Sequence, residues 1–588
     1  MQSVTGASNK FSSIYQDSCA NLYKNDVNSN LSSTTIMTSP VSKTMISPLA
    51  TIQSTLIPSL EGIDLAGRIL EWQLKNDNQF PTLSDQIKIG EAHGVSGLSD
   101  VDYPMLEVGP NGLPLLRQMG LVNRIPLPPE LVEHFGHMQS YCMMGLFPLI
   151  QRAWLSIDSD IYVWTYEDGG DLSYFDGLSE PIIAVELVQP KPGIFQPHIQ
   201  YLLCLATTVE IVLLGVSFSG SSTNYEEMHL LPEPLFAVPT DGAYIVTITG
   251  TTSGRIFMGA KDGCIYEFFY QAEEGFFSRK CRKINHSKST LSYLVPSFIN
   301  AAFSEEDPIV QMVQDETRHI LYTRSEKGTI QVYDLGTDGQ AMTRVAAINT
   351  NTIVQSAANI ARTVDRSSFR PLVGIAPIES SESTNLHLVA ITASGVRLYF
   401  STLPWRAFNE ATPSSRPVTL QLVQVRLPPG YAANASPQRP QASPFGPIFS
   451  RHHQLSETQN TLGLDGKTWA LAEVTPTLKR QIDPSIFAPP APEPPLIVTQ
   501  HAVGPRKFIF LTTQCCHVVT QLRPVDILRQ LLFDASGPDS TAVRAFFQVL
   551  REDQACATAL ILACSSSIQD SQLADWAARA FFLLGGDV

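Results

Sequence analysis

Three groups of residues in this chain have types and spacings that chemistry could use. His134, His137 and Cys142 set two imidazoles and a thiol in one short segment. That is part of a zinc donor set, but a closed structural site takes four ligands, and Phe135, Met138, Met143 and Met144 thread the same stretch. It reads as packing. Asp168-Gly169-Gly170-Asp171 places carboxylates beside glycines, short of the oxygen-rich loop that calcium needs, and reads as a tight turn. His452-His453 sits in a Pro-rich loop, and Glu305-Glu306-Asp307 precedes Pro308; both read as solvated. No GxSxG elbow, HExxH helix or GxxxxGKS/T phosphate loop occurs. The sequence therefore predicts no catalytic constellation, no cofactor and no metal site.

The third group is a surface rather than a reactive centre. Asp262 to Cys281 gathers Ile265, Tyr266, Phe268, Phe269, Tyr270, Phe276 and Phe277, with Arg279, Lys280, Arg282, Lys283 and Lys288 following. Rings beside cations can dock on an anionic bilayer, the rings entering the interface and the cations meeting headgroups. Ile265, Tyr266, Phe268, Phe269, Phe276, Phe277, Arg279 and Lys280 are the candidate membrane-contact residues. For Cys264 to Tyr270 the plainer reading, a strand packed in a core, is favoured. For Phe276-Phe277 and the cations the two readings stand level.

The elements that would hold such a surface repeat along the chain. Arg255–Met258, Lys261-Asp262-Gly263 and Ile265–Phe269 spell strand, turn, strand. Ile320–Thr323 with Gly328 and Ile330–Tyr333, and Leu386–Ile391 with Gly395 and Val396–Phe400, spell it again. Returns at near-constant spacing mark repeat architectures, and a hairpin in each marks propeller blades. Trp154–Tyr166, Tyr201–Phe218, Gly466–Val474 and Lys507–Leu522 add further candidates, so a seven-bladed ring over 127–522 is expected. No recurring Trp-Asp or Gly-His signature accompanies it. Tyr201–Phe218 is apolar enough to resemble a membrane span, but Thr207, Thr208 and Glu210 interrupt it, and a mid-span charge is costly. It reads as two strands.

Around the ring the pattern changes. Residues 1–58 are rich in Ser, Thr and Asn and read as disordered. Ser59 caps an expected helix from Leu60 to about Asn76, and 59–126 leads into the propeller. Pro-rich stretches lie at 428–447 and 476–495. From Pro524, a favoured first helical residue, four helices follow. Val525, Leu528 and Leu532 line the first, and Val543, Phe546 and Phe547 the second. Cys556–Cys564 makes the third, and Leu573, Trp576 and Ala580 the fourth. Short apolar helices in series resemble the opening of an α-solenoid over 523–588. An uncapped solenoid end would be sticky, so the chain reads as a truncated product or fragment.

Composition excludes some functions. A formal net charge of -15 gives no basic footprint for broad nucleic-acid binding. Nine scattered cysteines and a polar N-terminus without a signal-peptide pattern read as reduced thiols in the cytosol or nucleus.

Several blocks resemble one known family. Val122-Asn123-Arg124-Ile125-Pro126-Leu127-Pro128-Pro129-Glu130-Leu131 and its continuation to Met138, Tyr166-Glu167-Asp168-Gly169-Gly170-Asp171-Leu172, Tyr174 to Glu180, Cys281 to Ser289, Ile320 to Gly328 and Glu552 to Thr558 are similar to the 155-kilodalton inner-ring nucleoporins. The likeness runs in order from about Leu60 to Gly586. It implies a mainly β chain, a seven-bladed propeller followed by an α-solenoid, and a non-enzymatic scaffold role in the nuclear pore complex. Implied partners are the 35-kilodalton amphipathic linker nucleoporin, the 93-kilodalton-type inner-ring complex and pore-membrane nucleoporins. The implied location is the nucleus, at pores and peripherally on the nuclear membrane. In that family the segment matching Asp262 to Gln271 is a proposed curvature-sensing loop; here Glu267, Glu273 and Glu274 depart from its low-charge ideal. The stretch Gly430 to Gly463 is shorter than its counterpart and lacks a strand pair, so one blade is expected to be incomplete there. A vesicle-coat subunit of like architecture is the alternative reading, and a propeller enzyme with a polar central channel the more distant one.

Overall fold

In the computed structural model the described residues are 94–97, 119–134, 141–219, 227–272, 280–287, 307–380, 382–404, 415–428, 430–431, 462–474, 500–501, 504–550, 552–564 and 571–585. The helix expected from Leu60, the whole of 1–58, His137 and His452-His453 lie outside them.

The strand–turn–strand repeats are hairpins. Ile256–Ala260 pairs with Ile265–Tyr270, Ile320–Ser325 with Ile330–Asp334, and Leu388–Thr392 with Arg397–Ser401. Each turns through a glycine with φ between 74° and 82°, at Gly263, Gly328 and Gly395, a region where a Cβ is strained. At Gly263 a Cβ would also stand 3.1 Å from the Asp307 carbonyl oxygen. Tyr201–Ala206 and Glu210–Ser219 form the two strands expected in place of a membrane span. No helix among the described residues is long and apolar enough to cross a membrane.

Among the described residues these hairpins sit in six sheets of four or five strands, a propeller-like arrangement, not seven blades. The first blade lies within 142–175, the second within 184–239, the third within 245–285, the fourth within 309–348 and the fifth within 372–426, and the sixth holds the strands between 468 and 521. The miscount has a simple cause. Gly466–Val474 and Lys507–Leu522 are expected as separate blades, but Thr468–Val474 pairs with Lys507–Thr512 across residues 475–506. Cys515–Gln521 is the third strand of that sheet and Met119–Pro126 the fourth. The propeller therefore begins at Met119 rather than at 127, and its sixth sheet is made from both ends of the domain. Gly94–Ser96 adds a parallel strand to the outer edge of the fifth sheet, along Gln421–Arg426, covering an edge that would otherwise be open.

The apolar cores lie between neighbouring sheets, because inner strands such as Arg152–Ile157, Ile256–Ala260 and Ile320–Ser325 are buried on both faces. One cluster joins the first and second blades through Trp154, Val163, Leu187 and Leu203, and another the second and third through Cys204, Ile256 and Phe268. Phe257, Ile265, Met312 and Leu321 join the third to the fourth, and Tyr322, Ile353, Leu398 and Phe400 the fourth to the fifth. Trp164, Ile509 and Val518 join the sixth to the first. Among the described residues, no cluster spans the fifth and sixth. The corresponding face of the fifth blade gathers Ala376, Val389, Tyr399 and Val423 by itself. The incomplete blade expected near Gly430 to Gly463 falls almost wholly outside the described residues.

Beyond the last strand come four helices, Pro524–Asp534, Thr541–Leu550, Glu552–Cys564 and Ser571–Leu584. Pro524 is the first helical residue as expected, and Asp526 closes a capping box with Arg523. Leu528, Leu532, Val543, Phe546, Ala559, Leu573 and Ala577 share one core. A further helix, Thr350–Ile360, was not anticipated. It is capped by Asn349, whose side chain accepts the Thr352 N–H, and it sets Ile353 and Ala357 into the cluster between the fourth and fifth blades.

Candidate partner-binding surface

The aromatic and basic group forms around the third blade. Alternation along Ile265–Tyr270 sends Tyr266, Phe268 and Tyr270 toward the second blade and Ile265 and Glu267 toward the fourth. Ile265 and Phe268 are fully buried and Tyr266 is 7% exposed. The Tyr266 hydroxyl donates to Asp262 at 2.6 Å, and burial followed by that carboxylate raises its pKa. These three residues thus have no surface to offer a bilayer, which corrects their place among the candidates. Phe276, Phe277 and Arg279 lie outside the described residues.

Glu267, which counted against the membrane reading, has a definite task. Its carboxylate takes Arg255 Nε at 2.9 Å and Nη2 at 2.8 Å, with His286 Nε2 at 2.7 Å. Burial alone would raise its pKa, but the hydrogen bonds from Arg255 and His286 outweigh burial and hold it near 2. Arg255 also stacks on Phe257, and its Nη1 donates to the carbonyls of Gly339 and Ala341 in the fourth blade, each at 2.8 Å. One buried charge network therefore locks the third blade to the fourth.

What the region shows to solvent is smaller and more cationic. Phe269 is half-buried, with Lys191 Nζ 4.6 Å and the Arg282 guanidinium 4.9 Å from its ring. Lys191 reaches over from the second blade, where its N–H donates to the Tyr270 hydroxyl and its Nζ to the Tyr270 carbonyl. Lys280 and Arg282 are exposed. This rim of cations about one ring edge suits an anionic or acidic partner. On the last two helices Leu560, Phe582 and Leu583 are 45%, 76% and 60% exposed.

Other sequence candidates resolve as structure. Asp168 accepts the Gly170 N–H and the Thr165 hydroxyl, and Asp171 pairs with Arg152 at 2.6 Å while accepting the Met228 N–H of the second blade. The segment is a turn joined to a blade-to-blade clamp. Cys142 begins a strand of the first blade. Sequence reasoning missed one cluster, Asp465 with Cys515 and His517, whose ligand atoms lie within 4.8 Å of one another. Its only signal was the i, i+2 spacing of Cys515 and His517 on one strand face.

A family model described as a nucleoporin of the Nup133 N-terminal-like type matches residues 117–447, more than half of the chain. The chain belongs to this nucleoporin family. Nup154 of Drosophila melanogaster is 39% identical over 581 residues, covering 90% of this chain and 41% of its own length. NUP170 of Chaetomium thermophilum is 31% identical over 374 residues, covering 62% of this chain and 25% of its own. The chain thus spans about two fifths of the former relative and a quarter of the latter. Among solved structures, a Chaetomium thermophilum Nup170 N-terminal domain in complex with Nup53 matches with a TM-score of 0.70 and 26% identity, covering 89% of this nucleoporin and 77% of that chain. The relatives are nuclear pore complex nucleoporins, and the propeller fits that membership.

Proposed function

We propose that this nucleoporin is a non-enzymatic scaffold of the nuclear pore inner ring. In this reading the propeller presents its rim to linker nucleoporins beside the pore membrane, and the four helices open an α-solenoid. The observation that carries it is the likeness, over most of the chain, to a Nup170 domain solved with Nup53 bound. A linker of the 35-kilodalton amphipathic type would offer a short helix or strand to a groove, and the 93-kilodalton-type complex and pore-membrane nucleoporins are the other expected partners. The cationic rim of Lys191, Lys280 and Arg282 fits an acidic peptide or anionic headgroups. Membrane contact is assigned to Phe276, Phe277, Arg279 and Lys280, since Ile265, Tyr266 and Phe268 are buried.

Two experiments test this. The tagged full chain should give a punctate nuclear rim, whereas Golgi or endosomal puncta would move the assignment to a vesicle coat. Affinity capture from nuclear-envelope extract, read by mass spectrometry, should recover linker nucleoporins; their consistent absence would remove the anchoring role.

A further inference from the structure

We propose that Asp465, Cys515 and His517 form a metal site of zinc type that staples the sixth blade. Cys515 and His517 project from the same face of Cys515–Gln521, and Asp465 arrives on the turn before Thr468–Val474. Gly466 makes that approach possible, since at φ 81° a Cβ would lie 2.7 Å from the Thr513 hydroxyl. The three ligand atoms stand within 4.8 Å of one another, and Cys515 Sγ is 3.1 Å from His517 Nε2. Thiolate, imidazole and carboxylate together are a zinc donor set.

The surroundings fit that use. Cys515 is 2% exposed and His517 fully buried, while the Asp465 side chain is 46% exposed and opens a way in from solvent. The Asp465 N–H donates to His517 Nε2 at 3.1 Å, so Nε2 is the lone-pair nitrogen and the one a metal would take. Arg124 Nε holds one Asp465 oxygen at 2.9 Å, leaving the other for a metal and acting as the outer partner that ligating carboxylates commonly have.

Binding is written simply. The Cys515 thiol gives its proton to solvent as the sulfur–metal bond forms. The metal takes the His517 Nε2 lone pair that the Asp465 N–H now occupies at 3.1 Å. Tetrahedral bonds of about 2.3 Å to sulfur and about 2.0 Å to nitrogen would open the Sγ–Nε2 separation to about 3.5 Å. Water would complete the fourth position, so this is an open three-ligand site rather than the closed four-ligand kind. Three chain segments, including the N-terminal strand that carries Arg124, would then be joined at one point.

The test uses the full chain and cobalt(II) as the probe. One equivalent should bind, with a thiolate-to-cobalt absorption that zinc abolishes. Cys515→Ser should remove that absorption and weaken binding at least tenfold, while Cys556→Ser, on the distant third C-terminal helix, should change neither. Absence of uptake by the unaltered chain, or an unchanged spectrum in Cys515→Ser, overturns the site. Should Cys515→Ser not fold, Asp465→Asn in its half-exposed turn decides: a tenfold or greater loss supports the site and undiminished affinity refutes it.

Discussion

The contact between the fourth and fifth blades and the seam between the fifth and sixth differ in nearly every respect. At the first, an unbroken apolar cluster runs from Val313 to Leu427. Arg318, with no exposure, pairs with Asp315 at 2.6 Å and donates to the Ile378 and Ser383 carbonyls across the interface. Arg324 reaches the Leu372 carbonyl, and Gln311 exchanges two hydrogen bonds with the Ile375 backbone. At the seam no apolar cluster is shared among the described residues. Leu471, Phe508 and Phe510, opposite the buried Ile509 and Leu511, are only half-buried. Among the described residues, the apolar contacts of this ring are concentrated between blades and are fewest at this seam.

The sharpest test of that contrast is Arg318→Ala. It leaves the Asp315 carboxylate buried without its cation, and such a loss costs about 3–5 kcal/mol, read as a fall in the denaturant midpoint. Next, Leu398→Ala empties a fully buried position of the same interface and should cost about 2–5 kcal/mol. Glu267 gives a pH-dependent counterpart at the third blade. Its folded pKa of about 2 lies below the ordinary 4.5, so its contribution is complete above pH 4.5 and is lost as pH falls toward 2. That loss should be on the order of 2–3 kcal/mol, and Glu267→Gln should flatten the acid limb of stability against pH. Smallest is Phe510→Ala on the seam face, expected at about 1 kcal/mol because the ring is already partly in water. A cost equal to that of Leu398→Ala would erase the contrast. Apart from stability, Phe276→Asp with Phe277→Asp should reduce liposome flotation several-fold; unchanged flotation would take those rings out of the membrane assignment.

Much of the fold was legible because hairpin signals are local. Gly263, Gly328 and Gly395 announce their turns, and period-two alternation announces the strands beside them. The blade count was not legible, because it depends on pairings with no local signal. Thr468–Val474 meets Lys507–Thr512 across a long Pro-rich interval, and Met119–Pro126 meets Cys515–Gln521 from the far end of the domain. Met119–Pro126 is also an edge strand, with Leu121 and Val122 exposed, so it lacks the alternation that marks a half-buried one. The aromatic group was found, but alternation alone could not say that both faces of Ile265–Tyr270 meet a neighbouring blade. Asp465 and Cys515 stand 50 positions apart in the sequence, so their proximity arises from tertiary structure alone.

The pairing of Met119–Pro126 with Cys515–Gln521 also sets a timetable for synthesis. A ribosome must add nearly four hundred residues after the first of these strands before the second exists. Until then the nascent chain holds an unmatched edge, a natural point of attachment for chaperones while domains emerge from the N-terminal side.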